Sequence, residues 1–150
     1  MIYVESDPDL APLLPPELVE RAAHATLDLA GAPAADLTVV LTGDRRVHAL
    51  NRDFLGIDAP TDVLSFPADE PDPETGGYYL GDIIISVKRA ASQARKHGHA
   101  FEAEVQLLTI HGVLHLLGHD HSGSEDKARM WAAQAETLER IGISPSIVHE

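Results

Sequence analysis

His111-Gly112-Val113-Leu114-His115-Leu116-Leu117-Gly118-His119-Asp120-His121 carries four of the nine histidines of the 150-residue chain. His111 and His115 are four residues apart, so on a helix they lie one above the other and two imidazoles can reach one ion. Gly118 stands where a helix ending in a left-handed residue favours glycine, and a sharp turn there swings His121 back toward the first two. Three neutral imidazoles leave a fourth tetrahedral position for water, the arrangement of a catalytic rather than a structural zinc. The same stretch decides the fold. It closes a helix read from Phe101 to Leu117, in which Val105, Leu108, Val113, Leu114 and Leu117 make much of the surface apolar. Such a helix belongs in the interior, with the other elements packed around it.

Working outward, Leu80 to Ser86 has the continuous apolar character of a central strand, and Ser86 is placed to cap a helix running to about Gly98. On that helix Lys88 with Arg95, and Arg89 with Lys96, are seven residues apart and form a basic stripe, read either as solvated surface or as nucleic-acid contact. Before it, Val63 to Phe66 reads as a short strand ended by Pro67, and Ala68 to Gly77, rich in proline, glycine and acid, as an exposed loop. Nearer the N-terminus, Ile2 to Ser6 is a strand and Pro15-Pro16 open a helix to Gly31. Asp36 to Thr42 is a second strand, and Asp44 is placed to cap a helix that stops at Gly56. Beyond His121, Ser122 or Ser124 starts a last amphipathic helix to about Ile141, with a loose tail after it. The order β-α-β-α-β-β-α-α-α predicts an α+β fold: a small, mostly parallel mixed sheet of about four strands with packed helices and the histidine-bearing helix central.

The chain is long enough for one sizeable core and too short to suggest two, so residues 1 to 150 are expected to form a single domain. There is no cysteine, which leaves nitrogen and oxygen to hold any metal. No basic segment leads into an apolar run at the N-terminus and no stretch has the length of a membrane span. The expectation is a soluble, cytoplasmic protein without a membrane partner. A net charge of −13 repels polyanions at long range and, taken alone, argues against nucleic acid. The charge is uneven, however. Residues 1 to 40 hold seven acids and one base, whereas residues 86 to 99 hold four bases and no acid, and the local field decides a binding face.

Taken one at a time, His24, His48, His97, His99 and His149 read as hydrogen-bonded core residues; it is the clustering of His111, His115 and His121 that points to a metal. The spacing His-x-x-x-His-x-x-Gly-x-x-His is also that of metzincin metalloproteases, which place a glutamate base directly after the first histidine. Here that position is Gly112, so peptide hydrolysis is the weaker hypothesis. Asp120, beside the third histidine, is a candidate base or a partner that orients an imidazole.

These residues, together with Asp58-Ala59-Pro60-Thr61-Asp62-Val63-Leu64-Ser65-Phe66-Pro67 and Leu80-Gly81-Asp82-Ile83-Ile84-Ile85-Ser86, resemble the signatures of the YbeY-type rRNA maturation endoribonucleases. The three stretches match in order and spacing over about residues 50 to 121. The resemblance implies a single-strand-specific, metal-dependent endoribonuclease of the bacterial cytoplasm, acting in 3′-end maturation of small-subunit (16S) rRNA and in ribosome quality control. It carries the family's zinc ligands onto His111, His115 and His121, with one zinc ion expected, although imidazole also suits other divalent metals. Single-stranded RNA, small-subunit ribosomal proteins and an assembly GTPase are the implied partners. Two departures stand out. His119 occupies a position where the family often has tyrosine, and Leu55 one where many members have an arginine thought to serve the RNA phosphate. Arg52, one helical turn earlier, is the candidate substitute.

The expected chemistry is metal-assisted hydrolysis of a phosphodiester, with nearby cations stabilising the developing charge. Arg45, Arg46, Arg52, Lys88, Arg89, Arg95 and Lys96 are the candidate phosphate contacts. One tryptophan, three tyrosines and three phenylalanines offer few stacking platforms for unpaired bases. The rival readings are a zinc metalloprotease-like hydrolase and a non-catalytic ribosome assembly factor with a structural metal.

Overall fold

Alternation along two strands decides the layering. In β2 (Ala35–Thr42) and β4 (Tyr78–Ser86), Leu37, Val39, Leu41, Ile83 and Ile85 enter one buried cluster while Val40 and Ile84 enter another. Side chains two apart share a face of a strand, so both faces of this sheet are covered. The computed structural model describes residues 1–8, 10 and 14–149. β1 (Ile2–Ser6) pairs parallel with β2, β2 parallel with β4, and β3 (Val63–Pro71) antiparallel with β4, in the order β1-β2-β4-β3. This is the expected mixed, mostly parallel sheet of four strands, with the two most apolar strands in the middle.

Helix α2 (Asp44–Leu55) covers one face through Val47 and Leu50, which pack with Val40, Leu64 and Ile84. The other face receives α1 (Pro16–Leu29), α3 (Val87–His97) and α4 (Phe101–Leu116). α5 (Ser124–Arg140) lies beyond α4, where Met130 and Leu138 meet Leu107, Ile110 and Leu114. Helix α4 is thus enclosed between sheet, α1 and α5, as its all-round apolar surface requires. No described helix is long and apolar enough to cross a membrane.

Several boundaries differ from expectation. β3 does not end at Pro67 but runs to Pro71, so only residues 72 to 77 form the connection to β4. Proline is tolerated there because β3 is an edge strand and its register with β4 shifts between Pro67 and Glu70. Gly43, not Asp44, is the N-cap of α2; Asp44 instead accepts hydrogen bonds from Arg89 Nε at 2.9 Å and Ser86 Oγ at 3.2 Å. Gly123 precedes α5, with Ser124 its first residue and no side-chain cap. Ser86 does cap α3, accepting from the backbone N–H of Arg89 at 3.3 Å. The tail is not loose: Pro145–Ile147 form a 3-10 turn, and Ile143, Ile147 and Val148 pack on the α1–α4–α5 cluster.

Candidate metal centre

Helix α4 ends in a Schellman motif that places the third histidine. The N–H of Gly118 donates to His115 O at 3.0 Å and the N–H of His119 to Leu114 O at 2.9 Å, with Gly118 at φ 98°. Only glycine adopts that conformation without strain, and it turns the chain back across the helix end. Asp120 tightens the same loop, accepting from the backbone N–H of His121 and from Ser122 Oγ, both at 2.7 Å. These bonds, Ser122 foremost, hold its carboxyl below the ordinary range. Asp120 shapes the turn and lies outside the cavities that adjoin the triad.

The result is that His111, His115 and His121 each present a ring nitrogen within 4.8 Å of the others. Nε2 of His115 lies 3.1 Å from Nε2 of His111. Two nitrogens bound about 2.0–2.1 Å from a tetrahedral zinc would stand roughly 3.3 Å apart, so the His111–His115 pair fits one ion without rearrangement of the helix. Burial pushes the His111 imidazole down to about 4, against the opposing effect of its hydrogen bond to Gln134. Burial, and then His121, likewise lower His115. Both rings are therefore neutral at neutral pH, the form that donates to a metal.

Gln134 is the buried partner that the sequence did not single out. Its Oε1 lies 2.7 Å from His111 Nδ1, and since a carbonyl oxygen only accepts, Nδ1 carries the proton and Nε2 is left with the lone pair that faces the other histidines. Gln134 shares a face of α5 with Lys127 and Trp131 at i, i+4 and i+7, a spacing legible in retrospect as a polar face turned inward. The Trp131 ring meets His111 and His121 edge-on, with centroids 6.1 and 5.9 Å away.

Gly112 has a packing reason as well as a chemical one. A Cβ there would lie 2.7 Å from Ile83 Cγ2, so α4 rests directly on β4 and no side chain, glutamate included, fits between them. The carbonyl of Gly112 accepts from Ser65 Oγ at 3.2 Å, tying the helix to β3. Through that strand the Thr61-to-Pro67 segment reaches the site: Asp62, Ser65 and Leu55 line a cleft with all three histidines. Asp62 also lines the neighbouring cavity of His111 and His121. Its carboxylate accepts from Val63 N at 2.8 Å and Gln93 Nε2 at 3.0 Å.

None of the candidate phosphate contacts lines the cleft at the triad. Arg52 is exposed and bonded to Asp53 at 2.9 Å, outside the cleft that Leu55 lines. Arg46 pairs with Asp7 and Arg89 with Asp44, each at 2.9 Å. Arg45, Arg95 and Lys96 are exposed. Lys88 and Arg89 line a separate cavity that meets the cleft at Thr61 and Asp62.

With this geometry in hand, the comparisons are consistent. A family profile described as Endoribonuclease YbeY matches residues 15–142. The chain is 46% identical over 136 residues to Endoribonuclease YbeY of Symbiobacterium thermophilum, covering 85% of this chain and 87% of that one. It is 42% identical over 152 residues to Endoribonuclease YbeY of Roseiflexus castenholzii, covering 96% and 94%. The solution structure of TM1509 from Thermotoga maritima superposes with a TM-score of 0.60 at 26% identity, over 94% of this chain and 91% of that one. On the strength of a profile match across most of its length and of relatives above 40% identity, the chain belongs to the endoribonuclease YbeY family.

Proposed function

We propose that this chain is a zinc-dependent endoribonuclease of the bacterial cytoplasm that cuts single-stranded RNA, with His111, His115 and His121 holding the metal. Its substrate in this reading is the 3′ end of small-subunit rRNA, in maturation and ribosome quality control. The observation that carries the reading is the convergence of three imidazoles at the rim of a buried helix, beside an open cleft. When bound, a divalent metal supplies Lewis acidity, polarising a phosphoryl oxygen and acidifying water.

The chain's own residues do the rest. Gln134 holds the proton on His111 Nδ1 and so keeps Nε2 available. Asp62 is the acidic side chain in the linings of both cavities at the triad, and it replaces Asp120 as the candidate to accept a proton from the attacking water. Leu55 contributes apolar surface where an arginine would contribute charge, so phosphate binding rests on the cations at the edges, Lys88 and Lys127 among them. The peptidase reading is opposed by the contact of Gly112 with Ile83, which leaves no room for a base at that position.

Metal analysis of the purified protein, paired with cleavage of a single-stranded RNA by wild type and His115→Ala, tests the proposal. One divalent ion per chain, cleavage by wild type and loss of both in the variant are the expected results. If chelation unfolds the protein, as followed by circular dichroism, the metal is structural and the proposal fails.

A further inference from the structure

The chain's single tryptophan lines a cavity against the metal centre. This cavity, of about 350 Å³, falls within the roughly 300–1,000 Å³ of small-molecule sites. Leu107 and Leu108 of α4 supply its apolar surface, and Trp131, His121 and His149 its aromatic rings. Gln134 and Asp62 add amide and carboxylate groups. Lys127 also lines it, with Nζ 5.4 Å from the centre of the Trp131 ring. The larger cavity at Lys88 and Arg89 has no aromatic lining, and its guanidinium is already paired with Asp44.

His149 comes from the C-terminal tail and is held in place by a carboxylate with no exposure to solvent. Its Nε2 lies 2.9 Å from Oε2 of Glu104, which is 0% exposed. With Ile143, Ile147 and Val148 packed on the core, the tail is a formed wall of the cavity. An apolar surface, aromatic rings, a few hydrogen-bonding groups and one cation beside a metal triad match the chemistry of a planar, polar-edged ring attached to a phosphate. Bases of unpaired strands are held by aromatic side chains together with cations that meet the backbone.

We infer that this cavity, bounded by Trp131, His121 and His149, is a subsite for the nucleobase next to the cleaved phosphodiester, with Lys127 at the adjoining phosphate. The inference rests on the endoribonuclease reading of the same site and gives an acidic chain with few aromatic residues a point of base contact beside its metal centre.

The test uses the metal-loaded protein and a short single-stranded oligoribonucleotide that carries an end label and phosphorothioate linkages, which slow hydrolysis. Tryptophan emission reports on the cavity alone, because Trp131 is the only tryptophan, while anisotropy of the label reports on binding anywhere. Binding of the intact strand should quench Trp131 saturably. An abasic residue stepped along the strand should weaken binding roughly 5- to 150-fold, the span of base–aromatic stacking, at one position, and less than 3-fold elsewhere. On the unmodified strand, the position most sensitive to the abasic residue should adjoin the cut. Trp131→Leu should remove this positional dependence and Trp131→Phe should retain it; the abasic scan on wild type needs neither variant to fold. Binding and cleavage without quenching, and with the same affinity for every abasic position, would overturn the subsite and leave the nuclease reading standing. No binding and no cleavage of the intact strand would overturn both.

Discussion

The two ends of α4 each gather three histidines, and they do opposite things. At the C-terminal end, His111, His115 and His121 turn ring nitrogens toward one another, with a neutral amide behind His111. At the N-terminal end, His99 and His149 turn theirs toward the buried carboxylate of Glu104, at 2.6 and 2.9 Å, while His97 stacks on His149 with centroids 4.4 Å apart. The first arrangement brings three ring nitrogens around a common point, which a cation can occupy. The second turns the imidazoles toward a carboxyl group already buried in the protein. Clustering of histidines is therefore not sufficient for a metal site; what stands behind each ring decides its role.

The contrast can be broken experimentally, and the largest effect is expected at the first cluster. His115→Ala should abolish tight divalent-metal binding, as read by competition with a chromophoric chelator, while a His99→Ala protein should bind metal as wild type does. Retention of metal by His115→Ala would remove the distinction between the two ends. Next in size, Glu104→Ala leaves two imidazoles facing an emptied buried site and should cost about 3–5 kcal/mol, the range for breaking a buried pair from one side. Urea unfolding measures it, with metal affinity unchanged and faster amide exchange confined to the tail.

Acid should destabilise the metal-free protein through the first cluster. His111 sits at about 4 when folded against an ordinary value near 6.5, so between those values the unfolded chain binds the extra proton. Its contribution is full above pH 6.5 and is lost as pH falls toward 4, by on the order of 3 kcal/mol. Urea midpoints followed across that window check the sign, and a His111→Gln protein should lose this part of the slope. The smallest change is expected from Gln134→Leu, which removes the partner of His111 Nδ1 but no ligand. Loss of such outer partners weakens metal binding about 10- to 100-fold, and nitrogen-15 spectra of the imidazole should report a mixture of tautomers in place of one. Wild-type affinity in Gln134→Leu would mean that packing alone orients the ring.

Much of the first cluster was legible before any coordinates. The i, i+4 spacing of His111 and His115 and the glycine at position 118 are local facts about one helix and its cap, and the Schellman bonds at Gly118 bear them out. The continuous apolar run of β4 likewise announced a central strand, because burial on both faces leaves no polar alternation. The second cluster was not legible. His97, His99 and His149, read singly as ordinary hydrogen-bonded residues, lie up to 52 positions apart, and only the packing of the tail on the α1–α4–α5 cluster brings His149 to the carboxylate that His99 meets locally and against the ring of His97. Gln134 escaped for the same reason, lying 23 residues from the imidazole it holds. The run of β3 past Pro67 also needed three dimensions, since proline is excluded from a central strand but not from an edge.

By itself, then, the sequence determined the order of elements, the buried helix and the candidate ligands on it, because helical periodicity, capping and strand patterning act over a few residues. The tertiary structure alone decided which side chains stand behind those ligands, what the tail does, and that Trp131 and Asp62 share the triad's cavity. Those are contacts between segments far apart in the chain, which local spacing does not encode and which form only when the shared core is packed.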